Sequence, residues 1–163
     1  MMNTLVDSDR VILNKITLAF NEPEPGDVVV IEIDPPYFNV LKFLNDSKLA
    51  KKLLPTMTGS DYIKRVIAVE GDIVDIKDGY VYVNGKKIDE PYIKEEGITR
   101  QMLTAMPYTV EEDKLFVMGD NRGASRDSRS IGTINMEQII GKASYRIWPI
   151  QKIGNIDGYW EWI

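Results

Sequence analysis

The side chains of this chain that could carry out chemistry are concentrated in one short segment. Residues 119–129 follow a strand-like run and hold two aspartates, three arginines, one asparagine and two serines. So many polar groups beside a core strand predict an ionic and hydrogen-bonded network that holds a site in place. We expect Asp127 and Arg129 to pair, and Ser125 or Ser128 to hydrogen-bond an amine. The alternative is a turn without chemistry, because Asp, Asn, Gly and Ser all favour turns.

Lys64 is the candidate base, since the chain contains no histidine and no cysteine. It interrupts a strand-like run over 62–69, and strand alternation puts it on one face with Tyr62 and Val66. A lysine between large apolar groups is desolvated, which favours the neutral amine, and a neutral amine can activate a serine hydroxyl. The alternative is a surface lysine that protects an edge strand from aggregation.

Length and composition restrict the class of protein. The 163 residues, 44% hydrophobic, suit one domain or one domain with an insert. The net charge of −5 argues against a nucleic-acid binder. Without cysteine or histidine the chain has no disulfides, no thiolate or imidazole metal ligands and no Ser-His-Asp triad. We predict no cofactor and no metal, and we find neither a signal peptide nor an apolar run of about 18 residues that could span a membrane.

The pattern along the chain predicts a mostly β protein. Asp78-Gly79 and Asn84-Gly85 separate short alternating runs, as in hairpins with tight turns, and such a meander indicates an all-β core. One helical turn is predicted over 136–140. The predicted strands are 9–15, 28–33, 62–69, 73–76, 80–83, 86–88, 108–110, 114–118 and 143–149.

Two segments are open to more than one interpretation. Apolar residues recur near helical spacing over 38–54, which predicts one or two short helices within an insert at 37–60. This insert either packs on the sheet or forms a lid or a membrane-facing element. The aromatic C-terminus, 159–163, either packs against the protein or contacts a membrane or a partner.

The order of these motifs resembles bacterial type I signal peptidases, the membrane-anchored Ser/Lys proteases that remove signal peptides from exported proteins. Residues 119–129 match the family box Gly-Asp-Asn-Arg-x-x-Ser-x-Asp-Ser-Arg, and residues 62–72 match the box that carries the catalytic lysine. Residues 26–30 match the strand between boxes, and residues 145–150 resemble the closing strand. The resemblance covers nearly the whole chain.

The family's first box, Ser-Met-x-Pro-Thr-Leu, aligns from its second residue with residues 1–5. The resemblance therefore implies a nucleophilic serine immediately before Met1, outside this sequence, together with an N-terminal membrane anchor. We expect the chain as it stands to be inactive by the family mechanism. Two positions depart from the pattern: Asn3 replaces proline, and Ser8 stands where glycine precedes Asp-Arg.

The resemblance also implies roles for individual residues. Lys64 would be the general base, oriented by Ser125, and the substrate would bind as an added strand that presents small side chains to the pockets. Structural support of the loop would come from Asp120, Arg122, Asp127, Ser128 and Arg129. Positions near the substrate pockets would be Met1, Leu5, Tyr62 and Ile63.

The implied fold is an assembly of coiled antiparallel sheets, forming a partly open barrel with one or two short helices. We expect a catalytic core from 1–76 and 113–163, with a smaller β region inserted at 77–112. The protein would be a single-pass protein of the cell membrane, with its catalytic domain on the extracytoplasmic face. Its partners would be signal peptides of exported preproteins.

Three alternatives stay open. A non-catalytic relative could serve pilus assembly by binding pilins or sortase machinery; Lys64 favours an active parent, whereas Asn3 favours a divergent one. A self-cleaving repressor domain shares Ser/Lys chemistry but lacks this loop signature. A plain β-rich binding module would require the ordered motifs to be a coincidence.

Overall fold

The computed structural model describes residues 1, 4–6, 8–15, 21–33 and 60–156. The helices predicted over 38–54, the aromatic segment 159–163 and Asn3 lie outside the described residues. None of the helices in the described part is long and apolar enough to cross a bilayer.

The described residues form mainly short antiparallel strands, which confirms the predicted fold class. The strands are β1 (Arg10–Asn14), β2 (Val28–Ile33), β3 (Ser60–Ala68), β4 (Ile73–Lys77), β5 (Tyr80–Val83), β6 (Lys86–Lys87), β7 (Tyr108–Thr109), β8 (Lys114–Met118), β9 (Ile134–Asn135), β10 (Ile139–Trp148) and β11 (Gly154–Asn155).

The larger sheet runs in the order β1-β10-β2-β3-β8-β9, with β11 also paired to β10. Register shifts interrupt the pairs β1–β10, β10–β2 and β3–β8. Bulges of this kind bend a strand and increase its twist, so the sheet coils. Its path ends at β1 and β9 without closing among the described residues, as expected for a partly open barrel.

The smaller sheet has the order β6-β5-β4-β7, and tight turns join β4 to β5 and β5 to β6. Asp78 and Gly79 have φ angles of 50° and 83°, and Asn84 and Gly85 have 53° and 80°. Two consecutive positive φ angles are the geometry that Asp-Gly and Asn-Gly hairpins favour, so both turn predictions are confirmed. Since β4 pairs here, the smaller sheet begins at Ile73, before the proposed boundary at residue 77.

One apolar cluster joins the two sheets. Ile67, Phe116 and Met118 of the larger sheet pack with Val74 and Val81 of the smaller sheet, and all five are fully buried. A second cluster lies on β2, β3 and β8; its fully buried members are Val29, Ile31, Val66, Leu115 and Val117. Strands β3 and β8 therefore run through the middle of the core, which makes them rigid supports for side chains at their ends.

The helical turn predicted over 136–140 is only partly present. A 3₁₀ turn covers Met136–Gln138 and is closed by a capping box between Asn135 and Gln138. The chain then enters β10 at Ile139, four residues before the predicted strand, because Ile139 pairs with Ile31 of β2. The prediction of a helix extending to residue 140 was therefore wrong, and strand pairing overrode the local pattern.

Candidate active site

Lys64 lies on a central strand. β3 is paired with β2 on one side and with β8 on the other, so the interpretation of Lys64 as an edge-strand lysine is wrong. Its partner on β2 is Val29, whereas β8 ends at Met118, opposite Arg65. The Lys64 side chain is 7% exposed. Beyond Met118 the chain turns into residues 119–129, which brings that segment beside Lys64.

The surroundings of the Lys64 amine favour its neutral form. The Tyr62 ring, whose centroid lies 5.4 Å from Nζ, attracts the ammonium form, but burial of the amine acts in the opposite direction. Desolvation by burial lowers the pKa of Lys64, and it outweighs the opposing attraction of Asp127 and Asp120, while Arg129 lowers the pKa further. An amine with a lowered pKa is neutral in a larger fraction of molecules near neutral pH, as a general base requires.

Gly119 provides the surface on which Lys64 and Ser125 approach each other. A Cβ atom at Gly119 would lie 2.2 Å from Ser125 Oγ and 3.8 Å from Lys64 Nζ. Glycine is therefore required here by a close approach of side chains to the backbone. Ser125 Oγ is buried and has no hydrogen-bond partner among the described residues. The structure thus puts Ser125 next to Lys64 but does not contain the expected hydrogen bond between them.

Asp127 and Arg129 form the ion pair expected from the sequence. Arg129 Nε and Nη2 donate to the two carboxylate oxygens of Asp127 at 2.8 and 2.7 Å, and Gly119 N–H donates to the same carboxylate at 3.0 Å. Burial raises the pKa of Asp127, but the hydrogen bonds and charge of Arg129 and the Gly119 N–H outweigh it, so the pKa is lowered. Asp127 is therefore a buried carboxylate that ties both ends of the segment together.

The end of this segment is helical. Asp127 is the N-cap of a short helix, α1 (Ser128–Ile131). The hydroxyl of Ser128 accepts a 2.9 Å hydrogen bond from Val117 N–H of β8. Ser128 is therefore engaged with the backbone of a core strand, and Ser125 is the serine that lies beside the amine.

Asp120 joins three parts of the chain. Its carboxylate accepts two hydrogen bonds from Arg65, at 3.0 and 2.9 Å, and one from the Thr4 hydroxyl. Its backbone N–H donates to Met1 Sδ at 3.5 Å. Neither Arg65 nor Thr4 was assigned a role from the sequence. A charged residue in the middle of an apolar strand was the signal that could have identified Arg65 as the partner of a buried carboxylate.

Arg122 pairs with a residue far away in sequence. Its guanidinium donates to Glu90 Oε2 and Thr99 Oγ1 at 3.0 and 2.9 Å, and it makes a second, close contact with Glu90 Oε1. Glu90 and Thr99 lie outside all the predicted strands and helices, so no periodicity could reveal this pairing. Arg122 also donates to the Gly119 carbonyl at 3.3 Å, consistent with its expected contact with the loop backbone.

The residues expected near substrate pockets fall into two apolar groups. Leu5 is buried in a cluster with Val28 and Val30, and Met1 and Ile63 pack against this cluster. Tyr62 packs on the opposite face of β3, with the cluster that contains Val66. The structure thus brings together Met1, Leu5 and Ile63, whereas Tyr62 lies separately, under the Lys64 amine.

Ser8 occupies a conformation that favours glycine. Its φ angle is 82°, in the left-handed region. A residue with a Cβ pays roughly 1–2 kcal/mol for that conformation. The left-handed backbone explains why glycine suits this position in the family, and Ser8 adopts that conformation at an energetic cost.

Comparison with known proteins identifies the family of the chain. A family model described as "Signal peptidase, peptidase S26" matches residues 1–148. The chain belongs to this family. It is 36% identical over 154 residues to a probable signal peptidase I-2 of Synechocystis, a match that covers 94% of this chain and 62% of that protein. It is 37% identical over 163 residues to signal peptidase IB of Staphylococcus aureus strain Mu50, covering 91% of this chain and 73% of that protein.

A solved structure supports the type I signal peptidase fold. The crystal structure of a signal peptidase I from Enterococcus faecalis V583 superposes with a TM-score of 0.54 at 26% identity, covering 76% of this chain and 98% of the other. The chain spans less than two thirds of the length of the Synechocystis signal peptidase, at 62%. Among the residues that the structure describes, no three carboxylates are grouped as a metal site would require.

Proposed function

We propose that the protein is a serine endopeptidase that removes signal peptides from exported preproteins, with Lys64 as the general base. The observation that carries this proposal is the buried Lys64 amine, which lies beside Ser125 above Gly119. Membership of the signal peptidase family supports the same reaction. The proposed location is the extracytoplasmic side of the cell membrane, with attachment by a single anchor.

The proposed nucleophile is the serine of the family's first box, which would directly precede Met1. Two contacts support this assignment. Met1 Sδ accepts a hydrogen bond from Asp120 N–H, and the Thr4 hydroxyl donates to the Asp120 carboxylate. Asp120 follows Gly119 directly, so these contacts hold the residues after the proposed serine against the surface that carries Lys64.

In the proposed reaction, the neutral Lys64 amine accepts the proton of the serine hydroxyl as Oγ attacks the scissile carbonyl carbon. The resulting ammonium group then gives that proton to the leaving amine as the peptide bond breaks. Water then attacks the acyl carbon while Lys64 accepts its proton, the bond between the acyl carbon and the serine Oγ breaks, and Lys64 returns the proton to Oγ. Ser125 would hold the ammonium group through a hydrogen bond, and the serine's own N–H would help bind the oxyanion.

The experiment measures peptide cleavage by the 163-residue chain with and without one residue added before Met1. We expect the chain with an added serine before Met1 to cleave a peptide that carries a small-x-small signal peptidase site. The unmodified chain and a chain with alanine added instead should not cleave it. Lys64→Met in the serine-bearing chain should lower kcat by about 10²–10⁴-fold or more, as expected for loss of a general base. A folded serine-bearing chain that does not cleave, or that cleaves equally well without Lys64, would contradict the proposal.

A second candidate function is non-catalytic assistance of pilus assembly, by binding of pilins or sortase machinery. The observation that favours it is Asn3, which stands where the family box has proline. The two functions differ in a direct test. Restoring proline by Asn3→Pro in the serine-bearing chain should raise cleavage if the protein is a peptidase. Binding of purified pilin subunits by a chain that stays inactive would favour the assembly role.

A further inference from the structure

Glu90 and Tyr92 reach the candidate active site from the segment that connects β6 with β7. Glu90 receives two contacts from the Arg122 guanidinium, one at 3.0 Å, and a 3.1 Å hydrogen bond from the Tyr92 hydroxyl. Glu90 and Tyr92 are each 9% exposed and Arg122 is 3% exposed. A glutamate is rarely buried to this extent unless it is paired, and Glu90 is paired with Arg122.

Arg122 connects the Glu90 carboxylate to the backbone at Gly119, beside Lys64. Its Nε donates to the Gly119 carbonyl at 3.3 Å, and its own carbonyl accepts a 2.9 Å hydrogen bond from Arg129. Gly119 carries the surface on which Lys64 Nζ and Ser125 Oγ lie, and Arg129 is the partner of Asp127. The guanidinium, fixed by Glu90, therefore holds the Gly119 end of the segment, and the backbone carbonyl of Arg122 contacts Arg129 at the other end.

Tyr92 connects the Glu90–Arg122 ion pair to β3, the strand that carries Lys64. Its ring centroid lies 4.0 Å from Arg65 Cζ and 6.0 Å from Arg122 Cζ. Arg65 directly follows Lys64 and is paired with Asp120. Cation–π contacts of a desolvated aromatic ring are favourable and directional, so the ring couples the two buried ion pairs.

In Glu90→Gln the Arg122 guanidinium would lose its counter-charge, and it could then move toward solvent. A half-open cleft of 630 Å³ adjoins Arg122 and Gly123 and is also lined by Lys94 and Ile98. An unpaired guanidinium is costly in the interior, whereas in the cleft it would be hydrated. Its movement into the cleft would break the hydrogen bond to the Gly119 carbonyl.

We propose that Glu90 is a positioning residue for the Lys64 centre. It acts through Arg122 on Gly119 and so fixes the surface on which the Lys64 amine and the Ser125 hydroxyl meet. This inference rests on the proposed peptidase function, because cleavage is the reaction that the positioning serves. Glu90 does not touch the reacting atoms, so its loss should affect turnover more than substrate binding.

The test uses the serine-bearing chain with Glu90→Gln. We expect kcat to fall about 10- to 100-fold, as for a displacement of about 1 Å at a reacting group, with KM changed less than about threefold. Glu96→Gln is the matched control, because Glu96 is exposed on the same segment and should leave both constants unchanged. Measurements are made well below the melting temperature of each variant. An unchanged kcat in folded Glu90→Gln would overturn the inference.

A second variant covers the case in which Glu90→Gln does not fold. Arg122→Lys keeps a positive charge opposite Glu90 but removes the Nε donor to the Gly119 carbonyl, and we expect the same fall in kcat. Wild-type turnover in this variant would also overturn the inference.

A spectroscopic readout separates this inference from the proposed function. In residues 1–163 labelled at lysine ¹³Cε, the Lys64 resonance, assigned with Lys64→Met, should shift in Glu90→Gln and Arg122→Lys but not in Glu96→Gln. If the serine-bearing parent does not cleave, the proposed function fails, and the Lys64 resonance alone decides the positioning role. An unmoved resonance in both folded variants would reject it.

Discussion

Arg65 and Asp120 form a two-point ion pair in the interior, with hydrogen bonds of 3.0 and 2.9 Å from the guanidinium to the two carboxylate oxygens. Both are almost completely buried, and the remaining Arg65 nitrogen, Nη1, donates to the Gly26 carbonyl at 2.8 Å. Because Arg65 adjoins the candidate base, the pair fixes the Lys64 backbone relative to the segment that carries Ser125.

Removing the negative charge of this pair should strongly destabilise the protein. Asp120→Asn leaves the Arg65 guanidinium buried without a counter-charge, so we expect the free energy of unfolding to fall by about 3–5 kcal/mol in urea denaturation. Asp75→Asn is the control, since its partner Lys77 has a side chain that is 65% exposed. That substitution should cost about 0–1 kcal/mol. Similar losses in the two variants would contradict the importance of the buried pair.

Gly119 should not tolerate a methyl group. In Gly119→Ala the new Cβ would meet Ser125 Oγ at 2.2 Å and Ser125 Cβ at 2.7 Å, so Ser125 must move. We expect a loss of about 1–3 kcal/mol in the free energy of unfolding, typical of overpacking. Thermal or urea denaturation measures it, and Gly119→Ala combined with Ser125→Gly should recover much of the loss.

Gly123→Ala is the control for this substitution. It lies in the same segment, yet a Cβ there would have no atom within 4 Å. We expect a change of no more than about 0.5 kcal/mol. If Gly123→Ala destabilised the protein as much as Gly119→Ala, the effect would reflect the flexibility of the segment rather than the close approach of Ser125.

Asp127 should stabilise the folded protein at neutral pH and lose this effect in acid. Its pKa is lowered in the folded protein because the hydrogen bonds and charge of Arg129 and the Gly119 N–H outweigh the opposing effect of burial. The contribution is therefore complete above the unfolded pKa, near 3.9, and is lost as pH falls through the folded pKa. The stability difference between wild type and Asp127→Asn should be largest at neutral pH and shrink below about pH 4. A difference that stays constant down to pH 2 would contradict this account.

The parts of the fold that the sequence predicts are those governed by local rules. The Asp78-Gly79 turn follows from the φ angles that its residue types permit, and β2 follows from a continuous β-branched run. The position of Ser125 beside Lys64 was assigned from the family resemblance rather than from a local rule, because the two segments are distant in sequence, and the close approach at Gly119 was not predicted. Glu90 was missed as a partner because a buried ion pair in an irregular segment leaves no periodic signal, whereas Arg65 left a signal, a charge within an apolar strand.

Lys64 should lower the stability of the folded protein at neutral pH. Desolvation by burial is the main reason that its pKa is lowered, so the folded state disfavours the ammonium form. Between the folded pKa and the unfolded value near 10.4 the unfolded chain binds more protons, so this penalty is largest below the folded pKa and disappears as pH rises toward 10.4. Lys64→Met should therefore raise the melting temperature at pH 7, and the gain should diminish toward pH 10. Lys86→Met, on an exposed edge strand, is the control for replacing a lysine by methionine. A destabilising Lys64→Met at pH 7 would mean that attraction to Asp127 and Asp120 outweighs desolvation, and the amine would then be a structural cation rather than a base.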